Sequence, residues 1–219
     1  MNPDVTIIDY GASNLASLVN ALDSLGISSE ITGDPGTISD ARQLILPGVG
    51  AFGPAMNRLN ETGLTEVIQE KAAAGTPLLG ICLGMQLLFS VGLEDGEHQG
   101  LDLISGSVEK MTQVSKLPHM GWNTLELRPD PIWKGLPDTP YVYFVHSYAC
   151  RPEREEDIIA LTEYGTPFCS AVREGSSWGM QFHPEKSQKA GLRILENFCA
   201  LSAFGEDHGL ARGAPSPTT

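Results

Sequence analysis

Up to Leu88 the chain alternates two apolar patterns: short β-branched or leucine-rich runs, and stretches where apolar residues return every third or fourth position. Val5-Thr6-Ile7-Ile8-Asp9 is a run of the first kind. Leu15, Leu18, Val19, Leu22 and Leu25 then recur at helical spacing until Gly26 provides a stop. A short strand is expected at 29–31 and a firmer one at 43–46, broken by Pro47-Gly48-Val49-Gly50. Helical spacing returns over 54–61 and 64–74, closed by Gly75, and leads into the apolar run 77–81 and a further apolar helical segment. Strands alternating with helices predict an α/β fold, with a mostly parallel central sheet and helices on both faces.

From Val91 to Gly100 the chain is polar and glycine-bearing, and beyond it the pattern changes to short strands separated by turn signals. These are expected near 106–111, 123–127, 141–145, 158–162, 168–173 and 178–181, making a strand-rich second half with antiparallel pairs. A last helix, about 189–204, carries Leu192, Leu195, Phe198, Cys199 and Ser202 on one stripe and should pack on the sheet, which places Cys199 in the core. Residues 205–219 are rich in Gly, Pro, Ser and Thr and cannot offset their own ordering entropy. The expectation is one domain over 1–204 and a disordered tail over 205–219.

Charge narrows the function classes. With 14 Lys+Arg against 27 Asp+Glu, a net charge of −13, the chain has no electrostatic footprint for phosphate backbones, so nucleic acid is not an expected partner. The start, Met1-Asn2-Pro3-Asp4, lacks a basic region followed by an apolar signal segment, and no apolar run reaches the roughly 20 residues needed to cross a bilayer, so neither a signal peptide nor membrane association is expected. Cys82, Cys150, Cys169 and Cys199 lie far apart without paired spacing, which points to thiols in a reducing cytoplasm and to no metal site.

Candidate chemistry centres on Gly80-Ile81-Cys82-Leu83-Gly84, a cysteine at the apex of a strand-to-helix turn. Small residues on either side let such a turn lift a nucleophile above the carboxyl end of a sheet, and the helix amino end favours the thiolate. A lone buried cysteine is equally a small inert hydrophobe, so the reading needs a base. Gln181-Phe182-His183-Pro184-Glu185 offers one: an imidazole takes a thiol proton through one nitrogen if the other is held, and a carboxylate two residues on can hold it. Cys82, His183 and Glu185 are therefore the candidate triad.

Attack on a carbonyl also needs N–H groups aimed at the developing oxyanion. Leu83, following the nucleophile, supplies one, and Pro47-Gly48-Val49-Gly50 is the best candidate for the second, with Val49 between two glycines as the donor. The same four residues are also compatible with an ordinary strand-to-helix turn. Ser13 or Asn14 can cap the first helix or belong to a binding loop. His146, at the end of Tyr141-Val142-Tyr143-Phe144-Val145-His146-Ser147-Tyr148, is a second possible base without an accompanying carboxylate, and a solvated or structural role is the expectation for it.

The cysteine elbow and His-x-Glu together resemble the class I (triad) glutamine amidotransferases over nearly the whole chain up to Phe204. Leu46-Pro47-Gly48-Val49-Gly50, His119-Met120-Gly121-Trp122-Asn123 and Asp9-Tyr10-Gly11 with Ser13-Asn14-Leu15 are similar, within that class, to the glutaminase subunits of imidazole glycerol phosphate synthases. The resemblance implies hydrolysis of L-glutamine to glutamate and ammonia without a cofactor, and delivery of the ammonia to a barrel-type cyclase subunit in histidine biosynthesis. It implies Gly50, Gln86, His146, Ser147 and Tyr148 around bound glutamine, and Asn14, Trp122, Tyr143 and Lys186 toward the cyclase. Other readings stay open: a glutaminase feeding anthranilate or pyridoxal phosphate synthase, a cysteine peptidase of similar elbow fold, or an inactive scaffold.

Overall fold

The computed structural model describes residues 3–11 and 15–201. The first half runs β1 (Val5–Ile8), α1 (Ala16–Ser24), β2 (Ser29–Thr32), α2 (Pro35–Asp40), β3 (Leu44–Gly48), α3 (Phe52–Glu61), α4 (Leu64–Ala73), β4 (Leu78–Cys82) and α5 (Leu83–Leu87). Strands dominate the rest: β5 (Phe89–Gly92), β6 (His98–Gln99), β7 (Ile104–Lys110), β8 (His119–Thr124), β9 (Glu126–Leu127), β10 (Tyr141–His146), β11 (Tyr148–Pro152), β12 (Ile158–Tyr164), β13 (Thr166–Glu174) and β14 (Ser177–Met180). Helix α6 (Gln188–Leu201) closes the described chain.

The main sheet has the order β2-β1-β3-β4-β14-β13-β11-β7-β5-β6, with β12 on β13 and β9 on β12. From β2 to β14 every pairing is parallel, and from β14 through β13 and β11 to β7 it is antiparallel. Both faces are covered, which is why the parallel strands read as unbroken apolar runs. Ile7, Ile45, Leu79 and Ile81 point to the face covered by α1 and α6, through Leu18, Leu22, Ile194, Leu195 and Phe198. Their neighbours Ile8, Leu44, Leu46 and Leu78 point to the other face, covered by α2, α3 and α4 through Ile38, Met56, Leu59 and Ile68. Truncating a fully buried anchor such as Phe198 would cost about 3–5 kcal/mol.

Several boundaries differ from the sequence expectation for identifiable reasons. Pro47 and Gly48 do not break β3 but extend it, in register with Ile81 and Cys82. Proline lacks a donor, yet β3 keeps its ladder there because Pro47 still offers a carbonyl. The expected strand over 123–127 is two strands: β8 starts at His119 and pairs with β10 in a separate ribbon, while β9 pairs with β12 of the main sheet. Helix α2 is additional to the elements expected from the sequence; Asp34 caps it, accepting the Thr37 N–H at 2.8 Å, with Pro35 in the first turn. The polar stretch after Val91 holds the β5–β6 pair. In α6 the buried stripe is Gly191, Ile194, Leu195 and Phe198, and Cys199 is half-buried at its edge. Ser13, Asn14, Ser202 and the tail at 205–219 lie outside the described residues.

Parallel pairing of β4 with β14, Met180 opposite Ile81, is the connection that matters for chemistry. It brings the carboxyl ends of two strands about a hundred residues apart in sequence to one point.

Candidate active site

Cys82 ends β4 with φ 55° and ψ −111°, a backbone conformation that β-carbon-bearing residues avoid and that persists only when its surroundings impose it. The imposition is steric. A β-carbon at Gly84 would collide with the Leu46 carbonyl oxygen, and one at Gly80 would lie 2.6 Å from the Gly84 oxygen. Only glycine at both places lets α5 fold back over β3 and β4, and that reversal raises Cys82. With five residues, α5 is too short to supply a full helix dipole, so the groups that act on the thiol are local ones.

His183 lies three residues beyond Met180, the end of β14, after Gln181 and Phe182. Its N–H donates to the Tyr143 carbonyl at 2.9 Å, and the following Pro184–Lys186 forms a 3-10 turn. That turn carries Glu185 back so that His183 Nδ1–H donates to Glu185 Oε1 at 2.8 Å. The hydrogen bond fixes the tautomer and leaves the buried Nε2 as the proton-accepting nitrogen, with the Cys82 thiol as its partner. Burial pulls the His183 pKa down, but Cys82 and Glu185 together outweigh it and hold the pKa up at about 9. Helix α6 presses on the turn from behind: a β-carbon at Gly191 would collide with the Pro184 oxygen.

Cys82, Leu83, Val49, Gly50, Gln86, His146, Ser147, Tyr148 and His183 line one cavity of about 350 Å³. Glu185 stands behind His183. Glu94, which the sequence does not single out, also faces this cavity and accepts the Phe52 N–H, at the start of α3, at 2.8 Å. Nothing in the run Glu94-Asp95-Gly96-Glu97 distinguishes it from its acidic neighbours; only the β5–β6 pairing selects it. It gives the cavity a carboxylate suited to an ammonium group. Val49 is 47% exposed beside the cavity, and Gly50 has φ 105° with open space where a β-carbon would sit.

His146 is not solvated. It is buried, and its Nδ1–H donates to the Tyr148 carbonyl at 2.9 Å, so its Nε2 accepts from His119 Nδ1–H at 3.0 Å. His119, stacked between Phe144 and Tyr164 at 4.7 and 4.0 Å, accepts in turn from Asn123 Nδ2 at 3.3 Å. Both imidazoles are therefore held neutral, burial pushing His119 down to about 4 and His146 down to about 3. Folded pKa values below the ordinary 6.5 mean that this stabilisation is complete above about pH 6.5 and is lost as pH falls toward 4. The melting temperature should drop by several degrees over that interval, and His119→Gln should flatten part of the drop. An unchanged acid slope in the variant would place the sensitivity elsewhere.

The residues expected to face a partner are not in the cavity. Trp122 and Tyr143 are a cross-strand pair on the β8–β10 ribbon, ring centroids 6.1 Å apart, and exposed Lys186 lies in the turn after His183. Along this ribbon alternate residues go in and out: Val142, Phe144 and His146 are buried, whereas Met120, Trp122 and Tyr141 are 62%, 46% and 62% exposed. Asn14 lies outside the described residues.

The other cysteines are poor rivals as nucleophiles. Burial raises the pKa of Cys150 well above its usual value, and pushes Cys169 and Cys199 up to about 12. Among the described residues no cluster of three or more His, Cys, Asp or Glu is arranged to hold a metal ion, and no helix is long and apolar enough to cross a membrane.

Residues 6–201 match the family model of glutamine amidotransferase class-I. The chain is 50% identical over 198 residues to imidazole glycerol phosphate synthase subunit HisH of Moorella thermoacetica, covering 90% of this chain and 94% of that one. It is 49% identical to the subunit of the same name from Sulfurimonas denitrificans, covering 89% and 96%. Among solved structures, one titled glutamine amidotransferase superposes with a TM-score of 0.73 at 21% identity, over 91% of this chain and 98% of that one. A glutamine amidotransferase from Thermotoga maritima gives 0.64 at 17% identity, over 95% and 87%. Elbow, sheet order and family match converge: the chain belongs to the class-I glutamine amidotransferases.

Proposed function

We propose that the chain is the glutaminase subunit of an imidazole glycerol phosphate synthase, acting in the cytoplasm in histidine biosynthesis. The relatives' shared name supports this reading and weighs against another synthase, a peptidase or a scaffold. The catalytic domain is assigned to 1–204, supported by the family match to 6–201.

The observation that carries the chemistry is His183 held by Glu185 beside Cys82 at one cavity. His183 Nε2 takes the thiol proton, and the Cys82 sulfur attacks the side-chain carbonyl carbon of glutamine. The oxyanion is met by the Leu83 and Val49 N–H groups. As the C–N bond breaks, His183 returns the proton to the leaving nitrogen and ammonia departs, leaving a γ-glutamyl thioester. Water activated by the same imidazole then releases glutamate and the free thiol. Glu94 takes the substrate's α-ammonium, while Gly50, Gln86, His146, Ser147 and Tyr148 shape the rest of the pocket.

The outlet for ammonia runs past Val145, whose carbonyl oxygen is 4.0 Å from the Cys82 sulfur. Val145 belongs to the ribbon strand that presents Tyr141 and Tyr143, and that ribbon, with Lys186 and Asn14, is assigned as the face for a barrel-type cyclase. Ammonia released into neutral water is mostly protonated and loses its nucleophilicity, so a sheltered passage to the partner preserves it.

His183→Ala should stop hydrolysis almost completely, and Glu185→Gln should slow it less, because the imidazole remains and loses only its orientation and charge partner. Glutamate release by the two variants in the presence of the cyclase decides the matter. Equal loss in both, or no effect of Glu185→Gln, would contradict this division of roles.

A further inference from the structure

The short α5 leaves open which local groups stabilise the thiolate before attack. Gln181, the residue after β14, is fully buried, and its N–H donates to the Ser170 carbonyl at 2.9 Å. The β4–β14 register sets it beside Cys82, and its Nε2 lies 3.8 Å from the Cys82 sulfur.

An amide could face sulfur with either end, but here the neighbours decide. The Tyr148 carbonyl can only accept, and it faces the Gln86 carboxamide at 3.2 Å, so the Gln86 atom there is Nε2. The same Nε2 lies 3.0 Å from Gln181, which must therefore present Oε1 to it. The Gln181 N–H₂ is left pointing at Cys82. A reversed Gln181 would set two donors against each other and aim a carbonyl at sulfur. We propose that Gln181 is a further catalytic residue, whose side-chain N–H donates to the Cys82 thiolate and holds it for attack, and that Gln86 fixes the direction of that donation. A donor at this range favours the anion over the neutral thiol, since charge-assisted hydrogen bonds are the stronger ones. The other titratable groups facing Cys82 are His183, Tyr10 and Cys150, with Glu94 across the cavity.

The inference rests on Cys82 being the nucleophile, and alkylation separates the two. Iodoacetamide modification of Cys82, followed by peptide mass spectrometry across pH, is compared between the parent and Gln181→Met, which keeps the volume and removes the donor. The expected result is reactive Cys82 in the parent and a modification rate at neutral pH lowered by about tenfold or more in the variant, as its profile moves to higher pH by about one unit. With the cyclase present, kcat should fall while KM for glutamine stays near the parent value. An unreactive Cys82 in the folded parent would remove the nucleophile assignment itself; identical pH profiles would overturn the role of Gln181 alone. If the variant does not fold, the parent supplies the test: the Gln181 side-chain amide resonance should shift through the same midpoint as Cys82 alkylation. A resonance that stays fixed through that titration would also overturn the proposal.

Discussion

Cys82→Ala is expected to abolish glutamine hydrolysis, by at least about 10⁴-fold, while leaving the protein folded. Without sulfur there is no thioester, and the residual cavity can only bind and polarise the substrate. The fold should tolerate the change because the strained φ of 55° is imposed by Gly80 and Gly84 and is no worse for alanine than for cysteine. What the variant loses structurally is the sulfur's contacts to Gln181, to the Val145 carbonyl and to the His183 imidazole. Glutamate release with the cyclase present, alongside the melting temperature, measures both halves. Hydrolysis that persists in a folded variant would put the nucleophile somewhere else.

A second large effect is expected from the partner: the isolated chain should be a poor glutaminase, and loading the cyclase with its ligand should raise turnover by about a hundred- to a thousandfold or more. That range is what one oxyanion donor contributes. The loop is built for such a change at one end only. A β-carbon on Gly48 would come within 2.5 Å of the Tyr10 hydroxyl and 3.0 Å of the Gly84 nitrogen, so this end is wedged against the elbow; around Gly50 the space is open. The Val49 N–H belongs to the peptide joining Gly48 to Val49, so turning it reverses the Gly48 carbonyl at the last residue of β3 and is taken up in the open space around Gly50, whereas Leu83, fixed at the elbow, does not move. An oxyanion donor acts mainly in the transition state, so kcat should change much more than KM for glutamine. Full turnover by the isolated chain, or activation seen only as tighter binding of glutamine, would exclude this mechanism.

Much of this arrangement was legible in the residues. The apolar runs at Val5–Ile8 and Leu78–Cys82 located the parallel strands because both sheet faces are covered. Gly80 and Gly84 marked the elbow because no other residue survives the approach of α5. Glu185 was readable because its distance from His183 is local in sequence. What escaped reading depends on pairing across long separations. Glu94 and Gln181 acquire their roles from β5–β6 and β4–β14 neighbours that no periodicity reveals. The β8–β10 ribbon was blurred for a similar reason: Leu125 is buried between two strands that belong to different sheets, so 119–127 carries one continuous β pattern with two partners. For His146 a solvated and a structural role could not be told apart, because its partner, His119, is 27 residues away.

The most direct test is covalent. A glutamine-like electrophile, a diazoketone analogue of the substrate, should modify the protein once per chain when the cyclase is present, and peptide mapping should place the adduct on Cys82. Excess glutamine should protect that site. An adduct on Cys150, Cys169 or Cys199, or labelling of Cys82 that glutamine does not slow, would contradict the account.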